Sequence, residues 1–213
     1  MLRGPLGSLP LGLLACQPPD RPGFGSGGDP WAEPEDSASY DLAEIAGPDD
    51  VLGNAALLAC MERGAVEAIA GSEPPTVEGL YSVHGEVVAS DSWPVGTEIG
   101  SEICLFEQTA DGTIAVRETG SHMTWTTNQA WIRGEGSSFS AYLEILFENT
   151  HGAGCVVQSL GVLTGEVEGG GDLTLRTAVV PVGSDGCAAE IEAAMGSCWA
   201  TADTATPTGT CAG

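Results

Sequence analysis

The sequence predicts a mainly β protein: an antiparallel barrel, or sandwich, of about eight strands with one N-terminal helix packed on it. The first observation is a change near residue 76 from helical spacing of apolar residues to the period-two alternation of half-buried strands. The second is the glycine-rich turn signals that separate the alternating segments. The third is an even set of cysteines from residue 60 onward, which suits disulfide bonds in a small β-domain.

The chain before the helix divides into a leader and a tether. Residues 1–15 contain Arg3 and then an apolar run that ends directly before Cys16. Residues 16–47 are rich in proline, glycine, serine and acidic residues and contain few apolar ones. Such a segment cannot bury enough surface to offset its ordering entropy, so we predict a disordered acidic tether over residues 16–47.

The leader resembles those of bacterial lipoproteins. Leu13, Ala15 and Cys16 stand where that family has its leucine, its small residue and the cysteine that is diacylated and becomes the mature N-terminus. The resemblance implies a signal peptide over residues 1–15, lipidation of Cys16, and a membrane partner reached through the lipid. Gln17 is not the aspartate that retains members of this family at the inner membrane. The implied location is therefore the cell envelope, at the outer membrane or the cell surface. A cytosolic protein with an apolar N-terminal tail is the alternative, and the cysteine count favours export over it.

The charge of the chain excludes one class of partner. Thirty acidic residues oppose six basic ones, all of them arginine, and the formal net charge is −24. A surface this acidic repels nucleic acid, so no nucleic-acid partner is predicted. Calcium is the other explanation for many carboxylates, but no run of the D-x-[DN]-x-[DN]-G kind is present. The composition therefore indicates a solvated acidic surface.

Residues 48–72 are predicted to form the helix. Pro48 suits the first helical position, and Asp49 and Asp50 follow where a negative charge faces the positive end of the helix dipole. Residues 55–61 are apolar on nearly every side, so the helix should be largely buried. Gly64 leaves open whether there is one helix or two short ones broken near that residue.

Residues 73–213 are predicted to form one disulfide-stapled β-domain. Its clearest strand covers residues 139–147, where Phe139 and every second residue after it are apolar. Weaker alternation predicts further strands over residues 81–89, 99–108, 113–118, 122–127, 130–133, 154–167 and 172–182. Residues 184–213 are predicted to be short helix and irregular coil. The spacing of the last three strands favours an up-and-down barrel, an architecture similar to the small barrels of lipocalins and avidins.

The cysteines after the leader are predicted to form structural disulfides: Cys60, Cys104, Cys155, Cys187, Cys198 and Cys211. The predicted topology favours pairing Cys155 with Cys187, Cys198 with Cys211, and Cys60 with Cys104. A metal or redox site is the alternative, but the sequence has neither Cys-x-x-Cys nor a paired Cys/His spacing. No metal and no cofactor are therefore predicted.

Tryptophans are the candidate binding residues. Trp93 precedes Pro94 in a predicted loop, where an exposed indole can bind a sugar or an apolar ligand. Trp125 and Trp131 lie on predicted strands, where they either fill the core or line a barrel cavity.

No catalytic motif emerges from the sequence. His84, His122 and His151 are too dispersed to predict a zinc triad, and no Gly-x-Ser-x-Gly is present. Residues 196–200 are similar to the nucleophile segment of papain-type cysteine proteases, but neither histidine nor asparagine follows Cys198.

We therefore expect a lipid-anchored envelope or surface protein whose non-catalytic β-domain binds a small ligand or a partner protein. A secreted hydrolase, with a site built from scattered acids and histidines, and a purely structural surface lipoprotein are the alternatives. A barrel cavity lined by Trp125, Trp131 and Phe139 would favour ligand binding. Carboxylates converging with His84 or His122 would favour catalysis, and a filled core would favour the structural role.

Overall fold

Eight antiparallel strands form one closed barrel in a computed structural model that describes residues 42–120, 124–148, 155–187 and 195–211. Each strand pairs with its neighbour in the sequence, and the first pairs with the last. The strands are β1 (Gly79–Ser90), β2 (Glu98–Phe106), β3 (Ala115–Gly120), β4 (Thr124–Glu135), β5 (Ser138–Glu148), β6 (Val156–Val167), β7 (Leu173–Asp185) and β8 (Trp199–Gly209). The predicted fold class is confirmed, as the barrel rather than the sandwich.

Two strand predictions were wrong in detail. Residues 124–127 of one predicted segment and the whole of the next, 130–133, belong to one strand, β4, which is interrupted by a register shift between Thr127 and Gln129. The segment 184–213, predicted as short helix and coil, contains β8, which closes the barrel. The buried apolar residues of β8 are alanines, Ala200 and Ala205, and such small side chains give only a weak alternation in the sequence.

Two short helices precede the barrel, α1 (Pro48–Leu52) and α2 (Ala55–Gly64). The predicted start at Pro48 is confirmed, but the break lies at Gly53 and Asn54 rather than near Gly64. Asn54 caps α2 by accepting a hydrogen bond from the backbone N–H of Leu57 at 2.9 Å. No described helix is long and apolar enough to cross a membrane.

The helix prediction for residues 65–72 was wrong, because α2 ends where Ala65 adopts a left-handed conformation with φ 51°. The chain then runs across the outer face of the barrel. There the backbone N–H of Ile69 donates to Ser140 Oγ at 2.8 Å, and the hydroxyl of Tyr142 donates to the Ile69 carbonyl. This covering explains why both faces of β5 are buried, although the sequence predicts a half-buried strand.

The end of the predicted tether also packs on the barrel. Ile45 is buried in the outer core, the apolar cluster between the helices and the outer face of the barrel. The side-chain amide of Gln158 donates to the Ala43 carbonyl at 2.7 Å. The signal peptide, Cys16 and tether residues 16–41 lie outside the described residues.

Apolar side chains fill the barrel at the end where β1 begins, which we call the lower end. Phe139 and Leu105 are fully buried there, and Val77, just before β1, closes the bottom. The hydroxyl of Tyr81 donates to the Val77 carbonyl at 3.0 Å. The opposite end, where β1 ends and β2 begins, is called the upper end.

Three disulfides join Cys60 to Cys198, Cys104 to Cys211, and Cys155 to Cys187. The predicted disulfide bonding of all six cysteines is confirmed, and so is the pairing of Cys155 with Cys187. The other two pairings were wrong because they assumed a coiled tail. With β8 paired to β1, and β1 paired to β2, Cys211, two residues after β8, lies within reach of Cys104 on β2.

Replacing Cys104 and Cys211 together by serine should lower the free energy of unfolding by about 2–5 kcal/mol, because this disulfide closes a long loop in the unfolded chain. The two cysteines are 107 residues apart and link strands on either side of β1. Urea unfolding followed by circular dichroism measures the loss. A loss below about 1 kcal/mol would contradict the stabilising role assigned to this bridge.

Candidate ligand-binding site

A cavity of about 360 Å³ opens at the upper end of the barrel. A narrower extension of about 20 Å³ lies beneath it and shares Ile99, Ser101, Glu118 and Trp199 with it. We call the two together the chamber. Its volume lies in the range of small-molecule sites in proteins. An eight-stranded barrel is wide enough to hold one small ligand when side chains do not fill it.

Glycines on the inner wall make room for side chains that line the chamber. A side chain at Gly85 would place its Cβ 2.0 Å from Asp203 Oδ1, and a Cβ at Gly161 would lie 3.2 Å from Val179. Gly120 also lines the cavity. The inner face therefore changes along the barrel axis, from closely packed apolar side chains at the lower end to an open space at the upper end, which tryptophans, polar residues and glycine line.

Three tryptophans surround the opening. Trp93 is 47% exposed in the β1–β2 loop, Trp199 is half-buried at the start of β8, and Trp125 on β4 is buried. All three line the cavity. The backbone N–H of Trp93 donates to Ser90 Oγ at 2.9 Å, which fixes where the loop leaves β1.

Asp91 connects the rim of the cavity to helix α2 on the outside of the barrel. Its Oδ2 accepts a hydrogen bond from the backbone N–H of Cys198 at 2.6 Å, and its Oδ1 pairs with Arg63 of α2 at 2.8 Å. The Cys198 hydrogen bond, and then Arg63, lower the pKa of the Asp91 carboxyl. Because Cys198 is also bonded to Cys60, the Trp93 loop, α2 and the start of β8 are held as one unit.

Trp131 lies on the outer wall of the barrel and does not line the chamber. It packs against the outer core instead. The register shift after Thr127 adds one residue to β4, so Trp125 faces inward whereas Trp131, six positions later, faces outward. Phe139 is also absent from the lining of the chamber, because it is buried in the packed lower core.

Asp203 on β8 is the most unusual group in the chamber. Its side chain faces inward, it is only 8% exposed, and its Oδ2 accepts a hydrogen bond from the Thr201 hydroxyl at 2.6 Å. Its Oδ1 is buried and has no hydrogen-bond partner. Burial, partly offset by the Thr201 hydrogen bond, raises the pKa of Asp203 to about 6.

Glu118 on β3 is a second carboxyl on the same inner surface. It accepts hydrogen bonds from Ser101 and Trp125, which lower its pKa. Burial outweighs them, and the charge of Asp203 adds to the effect, so the pKa of Glu118 is raised overall. Two carboxyls that resist ionisation therefore share one partly enclosed space, an arrangement that is common at functional sites.

The histidines do not join these carboxyls within the described chain. His84 is exposed on the outer face of β1, with its ring 3.4 Å from the Ser82 hydroxyl. His122 and His151 lie outside the described residues. Where the structure describes the chain, no three His, Cys, Asp or Glu side chains gather as a metal site.

Sequence reasoning missed Asp203, Glu118 and Ser101. Asp203 could have been found only by recognising β8 as a strand, since its inward position follows from the alternation of buried residues along that strand. Glu118 lies in a predicted strand, but whether its side chain faces into the barrel depends on the register of β3 with β2 and β4.

Comparison of the chain with family models, with curated proteins and with solved structures gives no match in any of the three.

Replacing Asp203 by asparagine should raise the free energy of unfolding at about pH 8 by up to about 3 kcal/mol. The pKa of Asp203 is higher in the folded than in the unfolded protein, so ionisation destabilises the fold. The stability that the protonated Asp203 contributes is fully present below pH 3.8, the ordinary pKa of the group, and it is lost as the pH rises through about 6. Wild type and variant should therefore converge in acid.

Thermal or urea unfolding of both proteins across this pH range measures the difference. Asp172→Asn, at an exposed aspartate, is the matched control and should track wild type at every pH. A variant that is less stable than wild type at about pH 8 would show that the Asp203 carboxylate is well paired.

Proposed function

We propose that this protein is a small-ligand binding protein that holds its ligand in the chamber at the upper end of the barrel. The observation that carries the proposal is the division of the barrel interior. The lower end is packed with apolar side chains, whereas the upper end keeps a cavity of about 360 Å³ lined by Trp93, Trp125 and Trp199. A protein with a purely structural role has no use for such a space, because unfilled volume costs stability.

The chemistry of the lining supports a ligand with both an apolar and a polar part. The indoles, Ile99 and Val179 offer apolar contacts at the opening, and Ser101, Glu118 and Asp203 offer polar ones below. Pockets that are mainly apolar with a few convergent polar groups are typical of small-molecule sites.

We place this binding protein in the cell envelope, anchored by a lipid on Cys16. Three disulfides in a chain of this size fit an oxidising compartment outside the cytoplasm. The lipobox-like leader then supplies the anchor, and residues 17–41 are long enough to hold the barrel away from the membrane surface.

A secreted hydrolase is the second candidate, and the raised pKa values of Asp203 and Glu118 are the observation in its favour, since a general acid must stay protonated near neutral pH. Against it, no histidine lines the described part of the chamber. Ligand binding needs neither a nucleophile nor a proton relay, so it requires fewer specialised side chains than hydrolysis does.

Wild type should bind a neutral apolar dye, N-phenyl-1-naphthylamine, saturably and with one site per chain. Trp93→Ala should weaken that binding about 5–10-fold, because one indole that contacts an apolar ligand contributes about 1–1.5 kcal/mol. Dye fluorescence titrated against protein measures both affinities.

Val95→Ala is the matched control, since Val95 is an exposed apolar residue of the same loop that does not line the cavity. It should bind the dye like wild type. Equal weakening by both substitutions would place the dye on the loop surface, and the absence of saturable binding in wild type would defeat the proposal.

The anchor is tested separately in cells. The native protein should partition into the detergent phase, and Cys16→Ala should leave it soluble or unprocessed, because the thioether-linked lipid is lost. Detergent phase separation followed by immunoblotting measures the partition. Unchanged partition of the variant would rule out lipidation at Cys16.

A further inference from the structure

We propose that the ligand of the chamber is a small organic molecule with a protonated amine, whose ammonium group binds Asp203 and Glu118 while its apolar part lies among the tryptophans. This inference rests on the proposed function and names the class of ligand that the site would take. Four features of the chamber carry it, and each concerns different atoms.

The first feature is the unpartnered oxygen of Asp203. Asp203 lines the lower extension of the chamber, and its Oδ1 is buried and accepts no hydrogen bond, whereas Oδ2 is satisfied by Thr201. A buried acceptor without a donor is costly, and it is uncommon in folded proteins. A ligand that donates an N–H at this point would remove that cost on binding.

The second feature is the sign of the charge. The ionisable groups that line the described chamber are Asp203, Glu118 and, exposed at the rim, Glu98. The described lining residues include no arginine, lysine or histidine, so no basic side chain among them neutralises these acids. The net charge of −24 adds a long-range attraction for cations.

The third feature is the size of the extension beside Asp203. About 20 Å³ accommodates one group the size of a water molecule, and an ammonium head is about that size. Val83, Leu163 and Leu175 close the extension from the lower core, so a longer polar group cannot pass deeper.

The fourth feature is the ring of indoles above the carboxyls. Trp93, Trp125 and Trp199 line the cavity, and indole rings attract cations and pack against apolar ligand bodies. A metal ion would not use these rings. Calcium takes six to eight oxygen ligands, and no three acidic side chains gather within the described residues.

Ionisation of Asp203 makes the binding depend on pH. The groups that face Asp203 are Glu118 on β3, Ser101 on β2, Thr177 on β7 and Gly85 on β1, so Glu118 is the one that also titrates among the described residues. The negative charge of Asp203 opposes ionisation of Glu118, and a bound ammonium favours ionisation of both. Acid should therefore protonate the pair and release the amine.

The test compares three ligands of nearly equal shape by isothermal titration calorimetry: 2-phenylethylamine, 2-phenylethanol and 3-phenylpropionate. Wild type should bind the amine about 10-fold or more tightly than the alcohol at neutral pH, and the carboxylate most weakly, because a charged hydrogen bond contributes about 1.5–3 kcal/mol. Asp203→Asn should lower the affinity for the amine toward that for the alcohol, while Glu118 retains part of the preference. Asp172→Asn, at an exposed aspartate, should change neither the affinity for the amine nor that for the alcohol.

A pH series on wild type checks the same inference without a substitution. Lowering the pH from about 7.5 to about 5 should weaken binding of the amine, which stays protonated throughout, and leave binding of the alcohol unchanged. Equal affinities for amine and alcohol, or tightest binding of the carboxylate, would overturn the ammonium assignment and leave the ligand-binding proposal standing. Binding of the dye without any binding of the amine would also overturn the ammonium assignment alone. The absence of all binding, the dye included, would overturn both the ammonium assignment and the ligand-binding proposal.

Discussion

The pairing of β1 with β8 is the constraint on which the rest of the structure depends. It turns a meander of neighbouring strands into a closed barrel, in which each of the eight strands has a neighbour on both sides. Closure creates the interior, and with it the distinction between an inner core and an outer one. It also sets Gly85 directly opposite Asp203 and brings Cys211 near Cys104, so the chamber floor and one disulfide both follow from this single pairing.

The two ends of the barrel use that interior differently. At the lower end, large apolar side chains supply the burial on which stability rests. At the upper end, the chain keeps a carboxyl whose ionisation works against folding, opposite a glycine that leaves room for it. Departures from the rules of stable packing are concentrated at functional sites. Asp203, Glu118 and the indoles above them therefore form one candidate site rather than separate irregularities.

The sequence predicted the parts of this fold that depend on local patterns. The alternation from Phe139 marks β5, and Pro48 marks the start of α1. Features that depend on distant partners were missed. Whether Trp131 faces inward is decided by one extra residue in β4, and whether Asp203 is buried is decided by the pairing of β8 with β1, more than 110 residues earlier in the chain. Neither leaves a periodic signal, because the register of a sheet is a property of two strands together.

The pKa of Asp203 in the folded, ligand-free protein tests the central claim most directly. An NMR titration of the Asp203 carboxyl carbon, assigned by comparison with Asp203→Asn, measures it. The account predicts a value of about 6, because the carboxyl is buried in the chamber with one oxygen unpartnered. A value at or below 3.8, the ordinary value for aspartate, would show that the group is solvated or paired, and would contradict the account of the chamber.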